Sequence, residues 1–185
     1  MYLDEILSSG IFKSQITTLL ITTNKSDDHH EAPLSVEEIC VDIFNVCTRL
    51  TALTLYESSH RSPLRFNFEE LSPPNIYSSS LLMLNIRVQC FANCLYLLDG
   101  RFSQRHTLYV DMVNAYYPQN YKNQGDLPNL RCFSLSCYFK ISNYDETILP
   151  LLYRMSNLEV LGLCSTVCDR ETFIDGNDLK RRIIN

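Results

Sequence analysis

An α/β fold built by repeating one short unit is what the sequence predicts, and three observations predict it. Six segments share the spacing apolar-x-x-apolar-x-apolar, beginning at Ile16, Leu50, Leu81, Arg105, Leu130 and Leu158. Their fourth positions are Leu19, Leu53, Leu84, Leu108, Phe133 and Leu161, and their sixth are Ile21, Leu55, Ile86, Val110, Leu135 and Leu163. Of these eighteen anchors only Arg105 is not apolar, in a chain that is 45% hydrophobic overall. Side chains on a strand alternate faces, so the fourth and sixth positions point into one core. The first position reaches the same core where the chain bends. The second observation is the interval between starts, 34, 31, 24, 25 and 28 residues. That is close to the roughly 20 to 29 residues of a leucine-rich repeat, once the first two intervals carry insertions. The third is helical periodicity between strands, since a helix crossover makes neighbouring strands parallel. Together they predict a leucine-rich-repeat solenoid with a curved parallel sheet of about six short strands and helices on the convex side. Residues 1–185 read as a single domain of this kind, part of a longer array, because neither terminus shows a polar capping repeat.

Residues 2–9 read as a short helix with Leu3, Ile6 and Leu7 on one face and Gly10 to end it. The first strand runs from Ile16 to Thr22. The polar run Asn24 to Glu31, with His29 and His30, reads as a solvated loop and not a metal site. Ser35-Val36-Glu37-Glu38 has capping-box form and opens a helix carrying Val36, Ile39, Cys40, Ile43, Val46 and Cys47 on one face. Strand two follows from Leu50. Residues 58–80, with Pro63, Pro73 and Pro74, read as an elaborated loop in which Phe66 to Leu71 forms one helical turn.

Strand three begins at Leu81, and a helix spans about Asn93 to Leu98. The fourth segment is the weakest match. A charge at a core anchor costs several kcal/mol unless paired, so Arg105 implies the core's edge or a local distortion. Residues 114–129 read as a Tyr- and Asn-rich loop. After the strand at Leu130, Asn143 and Glu146 cap a helix with Ile148, Leu149, Leu152 and Met155 inward, and Pro150 kinks it or shifts its start. The last strand begins at Leu158, and helix returns beyond Asp169, with Asp178 capping Leu179 to Ile184.

Composition excludes several classes of function. A net charge of -5 lacks the basic stripe of a nucleic-acid binder. The acidic amino terminus Met1-Tyr2-Leu3-Asp4-Glu5 does not resemble a secretory signal, and no apolar run approaches the roughly 20 residues of a membrane helix. The expected compartment is therefore the cytoplasm or nucleus, where structural disulfides are rare. The eight cysteines include Cys90-x3-Cys94, Cys132-x4-Cys137 and Cys164-x3-Cys168, which fall in or after predicted strands and read as small buried fillers. No metal and no cofactor is expected. The five glycines form no phosphate-cradling loop. His106 near Asp111 and Cys132 mimics a nucleophile and base, but no nucleophile signature surrounds Cys132, so no catalytic residue is assigned and the chain is not read as an enzyme.

The strand face opposite the core carries the candidate site. The seventh positions place Arg87 between Tyr56 and Asp111; the fifth add Asn85 and Tyr109; the second pair Arg131 with Glu159. Tyrosine and arginine are enriched at binding hot spots. These seven residues are the expected contacts for a protein partner.

The blocks Cys94-Leu95-Tyr96-Leu97-Leu98-Asp99-Gly100-Arg101-Phe102, Leu127-Pro128-Asn129-Leu130 and Met155-Ser156-Asn157-Leu158 resemble the F-box and leucine-rich-repeat-like proteins. The resemblance covers most of the chain from about residue 50 onward. It implies repeats that select a substrate for a cullin-type ubiquitin ligase. Nothing ahead of Ile16 is long enough for an F-box, so only the partner-selecting half carries over, and a cullin adaptor is expected only if a longer form supplies that domain. The competing expectation is a compact parallel α/β enzyme, because strand and helix alternation also fits a doubly wound sheet.

Overall fold

The computed structural model describes residues 14–23, 36–57, 65–67, 76–116, 125–141 and 144–167. The predicted helices at 2–9 and 179–184, the loop at 24–31 and the caps at Ser35 and Asn143 lie outside the described residues.

Six strands form one all-parallel sheet in sequence order: β1 (Thr18–Thr23), β2 (Ala52–Glu57), β3 (Met83–Val88), β4 (Thr107–Met112), β5 (Cys132–Ile141) and β6 (Val160–Val167). The fourth anchors align across every pair, Leu19 with Leu53, then Leu84, Leu108, Phe133 and Leu161. Burial follows the period of two. In β4, Leu108, Val110 and Met112 are buried while Thr107, Tyr109 and Asp111 are not.

The segments are also joined ahead of the strands. The second-position amides of Thr51, Leu82, His106, Arg131 and Glu159 each donate to the corresponding carbonyl of the preceding segment. Side chains just before the first anchor reinforce this. Ser80 donates to the Leu50 carbonyl (2.9 Å), Asn129 to that of Ser103 (2.8 Å) and Asn157 to that of Pro128 (2.8 Å). The echo of Pro-Asn-Leu and Ser-Asn-Leu thus has a physical cause: a short amide bridges consecutive segments where no strand ladder has yet begun.

Three helices complete the fold: α1 (Val36–Val46), α2 (Phe91–Leu97) and α3 (Tyr144–Tyr153). Their buried faces join the strand anchors in one core, with Val36, Cys40 and Ile43 from α1 and Ile148, Leu151 and Leu152 from α3. That core lies on one side of the sheet. All seven residues of α2 are buried, and the Asn93 side-chain oxygen accepts from the Cys90 amide at 3.1 Å, capping its start. Pro150 lies inside α3 and is exposed, so the helix runs through it with its ring on the solvent side.

Two expectations are corrected. Arg105 is not at the core's edge but 4% exposed. Its Nη1 donates to the Leu97 carbonyl (2.9 Å) and its guanidinium lies 5.7 Å from the Phe102 ring centre. An orphan carbonyl at the end of α2 is thereby satisfied by a cation, the charge that a helix C-terminus favours. The second correction concerns Phe66, which starts no helical turn. It forms a parallel bridge to Val88, its amide donating to the Arg87 carbonyl (2.8 Å) and its carbonyl accepting from Gln89 (2.9 Å). The rest of that predicted turn lies outside the described residues.

Candidate protein-binding face

With the core on one side, the strand residues of odd phase are left on the other, and this is where the candidate site falls. Asn85 and Tyr109 are partners across β3 and β4, as are Arg87 and Asp111 two residues on. Arg87 Nε and Nη2 both approach Asp111 Oδ2 at 2.7 Å, with the arginine mostly covered and the carboxylate 42% exposed. Arg131 and Glu159 precede β5 and β6 and meet at 3.3 Å, both well exposed. A partly exposed pair of this kind contributes at most about 1 kcal/mol to stability. The Arg131–Glu159 pair therefore does little for the fold, and its exposed side chains are open to a partner.

Tyr109 is 39% exposed and its hydroxyl lies 3.7 Å from the Cys132 thiol. That hydrogen bond, with the charge the thiol would carry, raises the tyrosine's pKa, so the phenol stays a neutral donor and acceptor. His106 is exposed, and the Cys132 thiol faces Tyr109. On β6, Gly162 aligns with Ser134, and a Cβ there would come within 2.8 Å of Ser134 Oγ. The fifth-position row therefore descends from Tyr109 through Ser134 to a bare backbone.

Six of the seven predicted contacts gather as two neighbouring groups, Asn85, Arg87, Tyr109 and Asp111 on β3 and β4, and Arg131 with Glu159 ahead of β5 and β6. The backbone of Tyr56 is not paired with that of Arg87. The β2–β3 ladder ends at Thr54 and Asn85, and beyond it the Phe66 segment occupies the edge of β3. Sequence reasoning missed this insertion, together with the exposed Arg65 beside it and the Ser134–Gly162 step. The polar-apolar-polar order Arg65-Phe66-Asn67 was the available signal, a period of two within an otherwise polar, proline-bearing tract.

Away from this face, a cavity of about 490 Å³ beyond α2 is lined by Tyr77, Ser78, Ser79, Asp99, Gly100, Arg101 and Ser103. Its arginine is held by Asp99 through Nε (2.7 Å) and Nη2 (2.5 Å) and lies over the Tyr96 ring. Gly100 adopts a φ of +97°, which a side chain would disfavour. Among the described residues, seven cysteines are free thiols. No helix among them is long and apolar enough to cross a membrane.

The class that fold and face define is an α/β protein whose six-stranded parallel sheet is packed with helices on one side and carries a mixed face on the other, with Tyr109, two ion pairs and the exposed apolar side chains of Leu20, Leu82 and Val160. No protein-family model, curated protein or solved structure matches the chain.

Proposed function

We propose that this chain is a protein-binding module of the leucine-rich-repeat kind, its 185 residues forming one domain of a longer array that holds a partner on the open strand face. The carrying observation is the in-register grouping of Asn85, Arg87, Tyr109 and Asp111 on two neighbouring strands, on the face the helices leave free. Strand order supports the same reading. It runs consecutively without reversal, whereas a doubly wound enzyme binds its ligand at the point where strand order reverses. The work is recognition and not catalysis, and it needs no cofactor.

The resemblance to F-box and leucine-rich-repeat-like proteins extends the proposal. The module selects a substrate for a cullin-type ligase when a longer form supplies the F-box, and it acts in the cytoplasm or nucleus. The test is affinity purification from the native cell with wild type and an Arg87→Ala, Tyr109→Ala variant. A specific protein retained by wild type and lost by the variant is expected. Equal recovery by both forms would refute the assignment to this face, and a co-purifying cullin adaptor would support the ligase role.

A further inference from the structure

We infer that copies of this chain join end to end, the β1 edge of one continuing the sheet beyond β6 of the next. This rests on the reading of the chain as one domain of a longer array and names a second copy as what lengthens it. Consecutive segments are joined by one repeated set of bonds. The carbonyls of Thr17, Thr51, Leu82, His106 and Arg131 each accept from two successive amides of the following segment. Carrying that series one step further in each direction leaves, among the described residues, the Glu159 carbonyl as acceptor at one end and the amides of Thr17 and Thr18 as donors at the other. The side chains just ahead of the first anchors follow the same rule. Ser80, Asn129 and Asn157 donate to the carbonyls of Thr48, Ser103 and Pro128, each two residues before the first anchor of the preceding segment. The Ser156 carbonyl is next in that series, and the exposed Gln15, one residue ahead of Ile16, carries a side-chain amide of the required kind.

Burial at the two ends points the same way. The first anchors Leu50, Leu81 and Leu130 are at most 2% exposed, whereas Ile16 and Leu158 are only partly buried, as are Leu19, Leu161 and Leu163. A second copy stacked in register covers these five as it makes the backbone bonds. The rows it brings together hold no like charges, with Thr17 beside Glu159, Thr18 beside Val160 and Thr22 beside Cys164. An open strand edge is a template for pairing, and two unlike ends that fit each other make a heterologous contact that each added copy leaves open again.

The purified full chain would be followed by sedimentation velocity from about 1 to 200 μM, where mass action should carry the average mass past that of a dimer. Thr18 and Val160 are exposed and share a row position at opposite ends of the sheet, five strand spacings or about 24 Å apart, so they meet only across two copies. A Thr18→Lys, Val160→Lys variant should associate at least about tenfold more weakly, and Thr18→Lys, Val160→Glu should regain association, with circular dichroism checking that both fold as wild type does. A wild-type chain that stays monomeric throughout overturns the inference and leaves the partner-binding reading of the face untouched, since no partner enters the experiment. A mass that stops at the dimer, or association that the two variants change alike, overturns it as well, because another surface would then be joining the copies.

Discussion

Arg105 occupies an anchor that five other segments fill with Ile or Leu, and burial pushes its pKa down to about 10. Its Nε has no partner among the described residues, so the core carries a charge only partly compensated by the Leu97 carbonyl. Arg154 does similar work from the far end of α3, donating to the Leu98 carbonyl at 2.7 Å, so two cations close one helix end. Removing one partner of a buried hydrogen bond leaves the other unsatisfied, and truncation leaves a cavity as well. Arg105→Leu leaves the Leu97 carbonyl unpaired and should lose about 1–3 kcal/mol in urea unfolding, and Arg105→Ala, which adds a cavity, should lose more. An alanine variant as stable as the leucine one would show that packing at this anchor is unimportant. The thiols set a second expectation. Burial raises the Cys94 pKa to about 12 and drives that of Cys40 higher still. A group whose folded pKa exceeds its unfolded value near 9 adds stability that is complete below pH 9 and is lost as pH rises toward 12. Each such thiol contributes a slope of at most about 1.4 kcal/mol per pH unit. Arg105 acts in the opposite sense, but only above about pH 10, where its folded form loses its proton first. Unfolding free energy should accordingly fall between pH 9 and 10, and Cys94→Ala should reduce that fall without abolishing it, since burial also raises the pKa values of Cys40, Cys47 and Cys137. An unchanged slope in the variant would remove Cys94 from the account.

At the scale of elements, the six strands were legible because one cause, alternate burial, acts at every anchor, and a shift of one residue would turn each apolar set to solvent. Helix positions were legible for the same reason, with α1 and α3 close to expectation and α2 beginning two residues earlier than its periodicity suggested. Polar contacts between distant residues leave no periodic trace. That Arg105 and Arg154 converge on one helix end depends on how three segments stack, and nothing local announces it. The Phe66 bridge was hidden for a related reason. A single inserted residue takes β3's outer backbone bonds, 1% exposed, with its ring 5.8 Å from that of Tyr96. The neighbouring Asn67 amide is accepted by a Glu37 carboxylate oxygen of α1, which ties the insertion to the helix layer. It also lies between the backbones of Tyr56 and Arg87, so that one step of the seventh-position row departs from the reading while the Arg87–Asp111 step follows it. Phe66→Ala should cost about 3–5 kcal/mol in denaturant unfolding. It should also release the Gln89 amide, now bonded to the Phe66 carbonyl, to faster hydrogen exchange. Full protection of Gln89 in that variant would mean the backbone bridge holds without the ring.

For the whole molecule, the consequence of consecutive strand order is that stability is built from neighbour to neighbour. β3 and β4 each have a strand on both sides, while β1 pairs only with β2 and β6 only with β5 among the described residues. Burial follows the same gradient: Leu84, Leu108 and Phe133 are buried, but Leu19, Leu161 and Leu163 only half-buried. Where interactions are limited to sequence neighbours, free energy of opening falls toward the ends, because an end segment has only one interface to lose. Backbone amides of β3 and β4 should exchange most slowly and those of β1 and β6 at least about tenfold faster, by mass spectrometry on the intact chain. A substitution at one end should stay local. Leu163→Ala should speed exchange in β6 and then β5 while leaving β1 and β2 unaffected, whereas Leu108→Ala at the centre should raise exchange throughout. Uniform rates along the sheet, or a response of β1 to Leu163→Ala, would mean that the six strands open as one unit and that the ends are held by more than their single strand neighbours. The gradient also bears on binding. If the central strands exchange slowest as expected, Asn85, Arg87, Tyr109 and Asp111 stand on the most stable part of the sheet, where a partner orders little on docking.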